Sequence, residues 1–367
     1  TRRPTTEDIS QELDAVGADY NAFTSKDWTG YYIKVSARHA ALAVDVLADM
    51  IWHSADSDPD IALEKGVIVE EIHMYQDNPL MYVEDLAENL TFQGHPLGRD
   101  IAGSVTTVRG LTRRQLRQFK ERHYQPQNMV LVVAGKTSAV NRAFIAGAFG
   151  RRAAVKQAVK PPAKFVRRQR SPRRQIVYRQ TDQVQAAITW PGVSRDHRDA
   201  AAVALLSIVL GGTMSSRLFI NIRNKQGLAY YIRASHTGFS DTGCFAIQGG
   251  FDRQRWQQAL ISVNHEVNRL ITDGVSREEL QRAQEFIRGK MALDLEDSAH
   301  IADWYAKQAL LSRSLKTPEQ RLVEILAVKP AAIQRVARQI LTANQASMAV
   351  IGPISPRTRV PLVGGKN

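Results

Sequence analysis

The chain has 367 residues, 44% of them hydrophobic and 23% charged, with a formal net charge of +13. This is the balance of a globular protein with enough length for two or more domains, and it excludes a disordered or collagen-like chain. No apolar run is long enough for a helical membrane span, and the one cysteine, Cys244, excludes both an intrachain disulfide and a cysteine-based zinc site.

In chain order, Thr6 to Val16 is predicted as a helix, with Thr5 or Thr6 as its cap and Gly17 as its stop. "DYNAFTS" and "WTGYYIKV" alternate like two strands and form a hairpin around Lys26 and Asp27. Helices are predicted at about 38–53, 58–77, 80–93 and 112–123, and a strand at 128–135. Within 58–77, Ile61, Glu64, Ile68, Glu71 and Tyr75 recur at alternating steps of three and four and share one stripe, with Glu70 turned off it. Val67, Val69, Ile72 and Met74 surround that stripe, so this helix is expected to be buried. A buried carboxylate needs a partner, a hydrogen bond or a metal. The spacing leaves two readings open, a charged helix face or part of a metal site.

Between Arg151 and Asp182 there are eleven Lys and Arg against one acid, which leaves only +3 for the rest of the chain. The stretch has paired prolines and little apolar periodicity. It reads as an exposed basic linker over 151–181, with contact to an anionic surface or nucleic acid as the alternative. No aromatic-interleaved RNA-binding signature accompanies it, so nucleic acid is not an expected partner.

The linker separates halves that resemble each other. "LTRRQLRQFKERHYQPQNMVLVVAG" ends at Gly135 and "VKPAAIQRVARQILTANQASMAVIG" at Gly352; at an offset of 217, Leu116, Phe119 and Val132 align with Ile333, Val336 and Ala349. An alternating strand followed by a long amphipathic helix starts at Thr29 and again at Thr242, an offset of 213. Two matches in one order predict a duplicated α+β domain, an antiparallel-rich sheet covered by helices in each copy. The expected division is 1–150, linker 151–181, and 182–367. The first copy reads about 30 residues short at its start, and the chain opens on Thr1 rather than Met, so a fragment, a processed form or an incomplete reading frame is expected.

Four further features carry candidate chemistry. "LGGTMSSRLFINIRNKQGLAYYIRAS" has a Gly pair without the Gly-Lys-Ser/Thr of a phosphate loop, then Arg223, a Gly227 stop and Tyr230. Arg223 and Tyr230 could donate to a carbonyl oxygen or oxyanion in a cleft. The hairpin from Asn21 to Tyr32 is either an ordinary edge or a strand that pairs with an extended peptide. His95, in "HPLGRDIAGS", reads as a loop cap before it reads as a ligand, and Cys244, in "TGCFAIQGG", as a small core residue before a nucleophile. The nine histidines form no His-Glu-x-x-His and no His-x-x-Glu-His.

Taken in order, "TRRPTTEDISQELDAVGADYNAFTS", "EKGVIVEEIHMYQDNP", "HPLGRDIAGS", "HYQPQNMVLVVAG" and "LGGTMSSRLFINIRNKQGLAYYIRAS" resemble the pitrilysin/insulinase family of zinc peptidases, the inverzincins, and among them the mitochondrial processing peptidase and its bacterial relatives. The resemblance covers nearly the whole chain. It implies two homologous domains around a clam-like chamber, a Zn2+ cofactor, and hydrolysis of peptides or unfolded protein segments. It implies Glu71 as the third zinc ligand, Glu64 as its support, Arg223 and Tyr230 as contacts to the scissile peptide, and Asn21, Ala22 and Phe23 as an edge that takes substrate as an added strand. The family's His-x-x-Glu-His helix, with two ligands and the general base, has no counterpart here, so the 367-residue polypeptide is expected to be inactive. The alternative is a non-catalytic homologue, a peptide-binding or partner subunit. A homo- or heterodimer with a paralogue, no membrane association and a bacterial cytoplasmic location, with a secreted or periplasmic one as the alternative, complete the expectations.

Overall fold

The structure is a computed structural model that describes residues 2–150 and 163–365. Its elements follow the chain as α1 (Thr6–Asp14), β1 (Asp19–Thr24), β2 (Thr29–Lys34), α2 (Ala40–His53), α3 (Asp58–Asp77), α4 (Pro79–Thr91), α5 (Val105–Gly110), α6 (Arg113–His123) and α7 (Arg142–Phe149). Then come β3 (Arg173–Tyr178), β4 (Gln183–Gly192), α8 (Ala200–Ser207), β5 (Ala229–Gly238), β6 (Gly243–Asp252), α9 (Trp256–Thr272), α10 (Arg277–Asp294), α11 (Ser298–Leu311), α12 (Pro318–Leu326), α13 (Pro330–Ile340) and β7 (Ser347–Gly352). They form two compact units that interleave in sequence. The first holds residues 1–72, 101–161 and 292–315; the second holds 73–100, 162–291 and 316–367.

In the first unit, Thr5 and Asp8 cap α1 reciprocally, side chain to backbone, and Gly17 ends the helix at φ +64°. β1 and β2 pair antiparallel, with Asn21 opposite Tyr32 and Phe23 opposite Gly30. The Phe23 ring lies over Gly30, where a Cβ would collide with it, and meets Trp28 edge-on at 4.7 Å. The hairpin is tied down by Tyr31, whose hydroxyl shares a 2.8 Å hydrogen bond with that of Tyr124, and by Lys34, 2.9 Å from Asp297. Arg3 reaches the carboxylates of Glu12, Asp45 and Asp49. It thereby fastens the start of the chain to α1 and α2.

The predicted strand at 128–135 is extended at Met129, yet residues 129–134 join no ladder among the described residues. The first-unit sheet is thus a two-stranded hairpin among those residues. The duplication is nonetheless visible element by element. The order α6, short 3-10 turn at Pro126–Asn128, extended segment is repeated as α13, short turn at Ala343–Gln345, β7. The β1–β2 hairpin leading to α2 is repeated as β5–β6 leading to α9.

The second unit contains a five-stranded sheet of order β3-β7-β4-β6-β5, antiparallel except for the β3–β7 pair. One face packs on α8, α9 and α13 through Trp190, Phe245, Phe251, Leu205, Leu260 and Ile333, all fully or almost fully buried. The Trp190 indole N–H donates to the Thr342 carbonyl at 3.0 Å, so the largest core side chain leaves no polar atom unpaired. The other face receives α4, where Val83, Leu86 and Ala87 meet Ala187, Ala349 and Ile351. Because both faces are covered, β4, β6 and β7 are buried along nearly their whole length. Polar groups under α4 are matched in pairs: Thr91 with Thr189 at 2.7 Å, Arg173 with the Leu90 carbonyl at 2.6 Å, and Arg233 with Glu84 at 2.7 Å.

Two expectations change here. The basic linker was expected to run over 151–181; residues 151–162 lie outside the described ones, but Arg173–Tyr178 is a strand. Its Ile176 and Val177 pack toward the two faces of the sheet, a pattern hidden by the surrounding arginines. The compact units also do not follow the expected division at 150 and 182, because α4 supplies apolar cover that the second-unit sheet needs.

His236 on β5 accepts a 3.3 Å hydrogen bond at Nε2 from the Val193 amide and lies beside Phe245. Burial pushes its pKa down from 6.5 to about 4. Between those values the unfolded chain binds a proton that the folded chain does not. Stability from the neutral imidazole is therefore complete above pH 6.5 and is lost as the pH falls toward 4, by about 3 kcal/mol. Denaturant titrations of the His236→Gln variant across that range are expected to show a flatter dependence than the parent; an identical slope would remove His236 as its source.

Candidate functional site

Glu64 and Glu71 lie on α3, the first-unit element that packs Val69 and Ile72 against Val108 of α5. The helix is not buried as expected. Glu64 and Glu71 are exposed, Leu63 is 72% exposed and Val67 55%. Its apolar residues point in several directions; Ile68, Val69 and Ile72 pack with Ala102, Val105 and Val108, while Lys65 and Asp58 reach the Arg109 carbonyl and Arg113. A cavity of about 620 Å³ borders the same helix, lined by Ile61, Lys65, Gly66, Val69, Arg109 and Arg113 among others, and neither Glu64 nor Glu71 lines it.

A zinc centre needs three protein donors converging within about 2 Å of one point. Among the described residues no group of three or more His, Cys, Asp or Glu side chains is placed to hold a metal. An exposed pair of glutamates two turns apart on one helical face does not fit zinc on its own. His95 is not a spare ligand: its Nδ1 accepts from the Leu97 amide at 3.3 Å, and its Nε2 lies 2.8 Å from the Ala163 carbonyl. It caps the loop, as its position suggested. Cys244 is a buried strand residue beside Phe92 and Phe239.

Asn21, Ala22 and Phe23 lie on β1, which has a partner strand on one side only among the described residues. All three are exposed. The open edge can hydrogen-bond an extended peptide through its backbone, the requirement for strand addition.

Arg223 and Tyr230 belong to the second unit. Arg223 sits in a wide π-type turn, Phe219–Asn224, with its guanidinium 4.6 Å above the Phe219 ring. Such turns are rare and concentrate at functional sites. The turn closes at Gly227, φ +60°, whose amide donates to the Arg223 carbonyl at 3.1 Å. The chain then enters β5 with an irregularity. Ala229 pairs with Phe251 and Tyr231 with Gly250, so Tyr230 is the extra residue of a β-bulge. A bulge re-aims the side chain it carries. Tyr230 is 72% exposed, whereas its neighbour Tyr231 donates to Gln185 at 2.8 Å and is pushed up to about 12 by burial. The start of the turn is anchored by Arg217, which makes two bonds to Glu279 (2.7 and 2.8 Å) and one to the Gly274 carbonyl. Sequence reasoning found Arg223 and Tyr230 but not Arg217 or the bulge. The Gly-Leu-Ala-Tyr-Tyr run, with two adjacent tyrosines, was the available signal of a broken alternation. Glu71 belongs to one unit and the Arg223/Tyr230 pair to the other.

Comparison with known proteins gives two family matches. Residues 1–105 match the model described as "Insulinase (Peptidase family M16)", and residues 110–287 the one described as "Peptidase M16 inactive domain". An uncharacterized zinc protease of Streptomyces coelicolor is 34% identical over 97% of this chain and 79% of its own length. One of Bacillus subtilis is 33% identical over 94% of this chain and 83% of its own. In fold, the chain is similar to the crystal structure of a protease from Helicobacter pylori, with a TM-score of 0.87 at 20% identity, covering 94% of this chain and 85% of that one.

Proposed function

We propose, from the premise that the chain belongs to the insulinase (M16) peptidase family, that its function is that of a zinc-dependent metalloendopeptidase that hydrolyses peptides or unfolded protein segments. The residues described do not fit a zinc centre alone. Glu71 is read as one carboxylate donor and Glu64 as its support. The exposed backbone at Asn21–Phe23 takes substrate as an added strand. Arg223 and Tyr230 donate to the peptide oxygen as negative charge develops on it.

The observation that carries this reading is the bulge at Tyr230. A phenol turned out of a strand by an inserted residue, one glycine turn after an arginine held over an aromatic ring, is costly to maintain for packing alone. The reading is tested in a polypeptide that carries a His-x-x-Glu-His helix ahead of Thr1. Arg223→Ala and Tyr230→Phe are each expected to lower kcat on a quenched-fluorescence peptide by about a hundredfold, with bound zinc unchanged. Full turnover in both variants would refute their role. A coding sequence without that motif upstream would sink the peptidase reading.

The exposed row of Leu63 and Val67 beside Glu64 and Glu71 favours a second reading, in which this face is covered by a paired subunit and the chain only binds peptide. Peptide binding without turnover by the zinc-loaded longer polypeptide would select it.

A further inference from the structure

The cavity beside α3 has no part in the function proposed above, and every residue that lines it belongs to the first unit. Its walls are one side of α3 and the corner where α5 gives way to α6. At about 620 Å³ it has the size of an ordinary small-molecule site. Gly66 forms part of the wall. This glycine stands inside a 20-residue helix, and its φ is not positive, so no turn requires it. A Cβ built there meets nothing within 4 Å, so no neighbour requires it either. Glycine in a helix interior costs stability relative to alanine. What that cost maintains here is open space.

Ile61, Ala62, Val69 and Leu111 give the cavity an apolar lining. Three cations, Lys65, Arg109 and Arg113, border it together with two acids, Asp58 and Glu70, so its walls carry one net positive charge. Asp58 takes Nη1 of Arg113 at 3.2 Å. Lys65 donates to the Arg109 carbonyl at 3.3 Å, and neither Lys65 nor Arg109 pairs with an acid among the described residues. The Nε of Arg113 is buried and has no acceptor among those residues, a costly state for a guanidinium N–H. Arg113 and Arg114 also open α6, whose first turn holds no acid. Cations at that end oppose the helix dipole, which makes the corner more positive than its side chains alone.

One unmatched positive charge beside an apolar wall fits a ligand with one negative charge on an aliphatic body. A carboxylate accepts from a guanidinium edge and an ammonium together. A dianionic phosphate would be opposed by Asp58 and Glu70. We propose that this cavity binds a small amphipathic carboxylate, with its head among Lys65, Arg109 and Arg113 and its aliphatic body over Gly66. The site is separate from Glu64 and Glu71, which do not line it, and from the strand edge at Asn21–Phe23. A fatty acid and the C-terminal end of an apolar peptide share this chemistry.

The test is calorimetric titration of the full chain with sodium decanoate and, in parallel, with acetyl-leucyl-leucine. Decanamide is the neutral comparison and decyl phosphate the dianionic one. A carboxylate is expected to bind once per chain, about tenfold or more tighter than either comparison. Preference for decanoate assigns a fatty acid, and preference for the dipeptide assigns a peptide end. Gly66→Leu fills the cavity from its wall. It is expected to weaken carboxylate binding about tenfold or more and to leave the unfolding temperature unchanged or raised, since leucine is the better helix former. Lys65→Met and Arg109→Gln are each expected to weaken it about tenfold. Bound carboxylate should also slow amide exchange over residues 109–116. Undiminished binding by Gly66→Leu, or unchanged exchange at that corner, overturns the site. Equal binding of decanamide overturns the need for charge, and tighter binding of decyl phosphate overturns the choice of a carboxylate. Failure of both carboxylates to bind overturns the proposal.

Discussion

Replacing Arg3 by alanine is expected to lower the stability of the first unit by about 3 kcal/mol, measured by denaturant unfolding near neutral pH. The Arg3 side chain is 9% exposed and reaches three carboxylates, Glu12 on α1 and Asp45 and Asp49 on α2. Removing this cation takes the guanidinium from Glu12 and leaves Asp45 with Arg2 at 3.0 Å and the nearly buried Asp49 with His53 at 3.2 Å, so three acids share less positive charge. That is the costly way to break a buried ion cluster, because the loss includes repulsion as well as the missing bonds. The pH dependence identifies the cause. Arg3 holds the Glu12 carboxyl below its ordinary value of 4.5. A carboxylate with a depressed folded pKa gives stability that is present above the unfolded value and lost as the pH falls through the folded one. The gap between the parent and the alanine variant should therefore shrink once the pH is taken below 4.5. A gap that stays constant into acid would show that the loss is one of packing.

The second large effect is expected at Arg217, which is 12% exposed and pinned between Glu279 of α10 and the Gly274 carbonyl. Arg217→Ala leaves Glu279 without the partner that keeps its carboxyl below the ordinary range, and about 3 kcal/mol of second-unit stability should go with it. Arg217 also begins the segment that carries Leu218, Ile222 and Arg223, so the same change should disturb from a distance the contact proposed for Arg223. In the zinc-competent polypeptide, Arg217→Lys should keep more stability than activity, because an ammonium can neutralise Glu279 but cannot span both carboxylate oxygens and the Gly274 carbonyl as a planar fork does. Parallel losses in stability and activity would reduce Arg217 to a structural residue.

Local signals carried most of the secondary structure. Period, caps and stops located α1, α2, α3, α4, α6 and the β1–β2 hairpin to within a few residues, and the offsets of 213 and 217 anticipated the α6/α13 and β2/β6 correspondences. Three things were not legible. α5 and α7 are short, six and eight residues, and give too few turns to establish a period. The strand at Arg173–Tyr178 hides two apolar residues among arginines that its edge position leaves exposed. The exposure of α3 could not be read at all, because periodicity shows which way apolar side chains point and not whether anything packs against them. Of the candidate site, Glu64, Glu71, Arg223 and Tyr230 were singled out by spacing and motif, and their expected roles came from family order. Their local settings, an open helix face and a bulge, are tertiary facts without a sequence period.

The interleaving of the two units bears on how the polypeptide can be made. α4 leaves the ribosome early, yet Thr91 waits 98 residues for Thr189, and Val83 and Leu86 wait still longer for Ile351 near the other end. The first unit in turn receives residues 292–315 only after most of the second has been synthesised. At about 5–20 residues per second, that leaves the apolar side of α4 unprotected in the nascent chain for roughly ten seconds or more. Neither unit can finish folding during its own translation, so holding chaperones should engage the growing chain at α4. Two separately expressed pieces divided at residue 150 should stick to other proteins rather than fold.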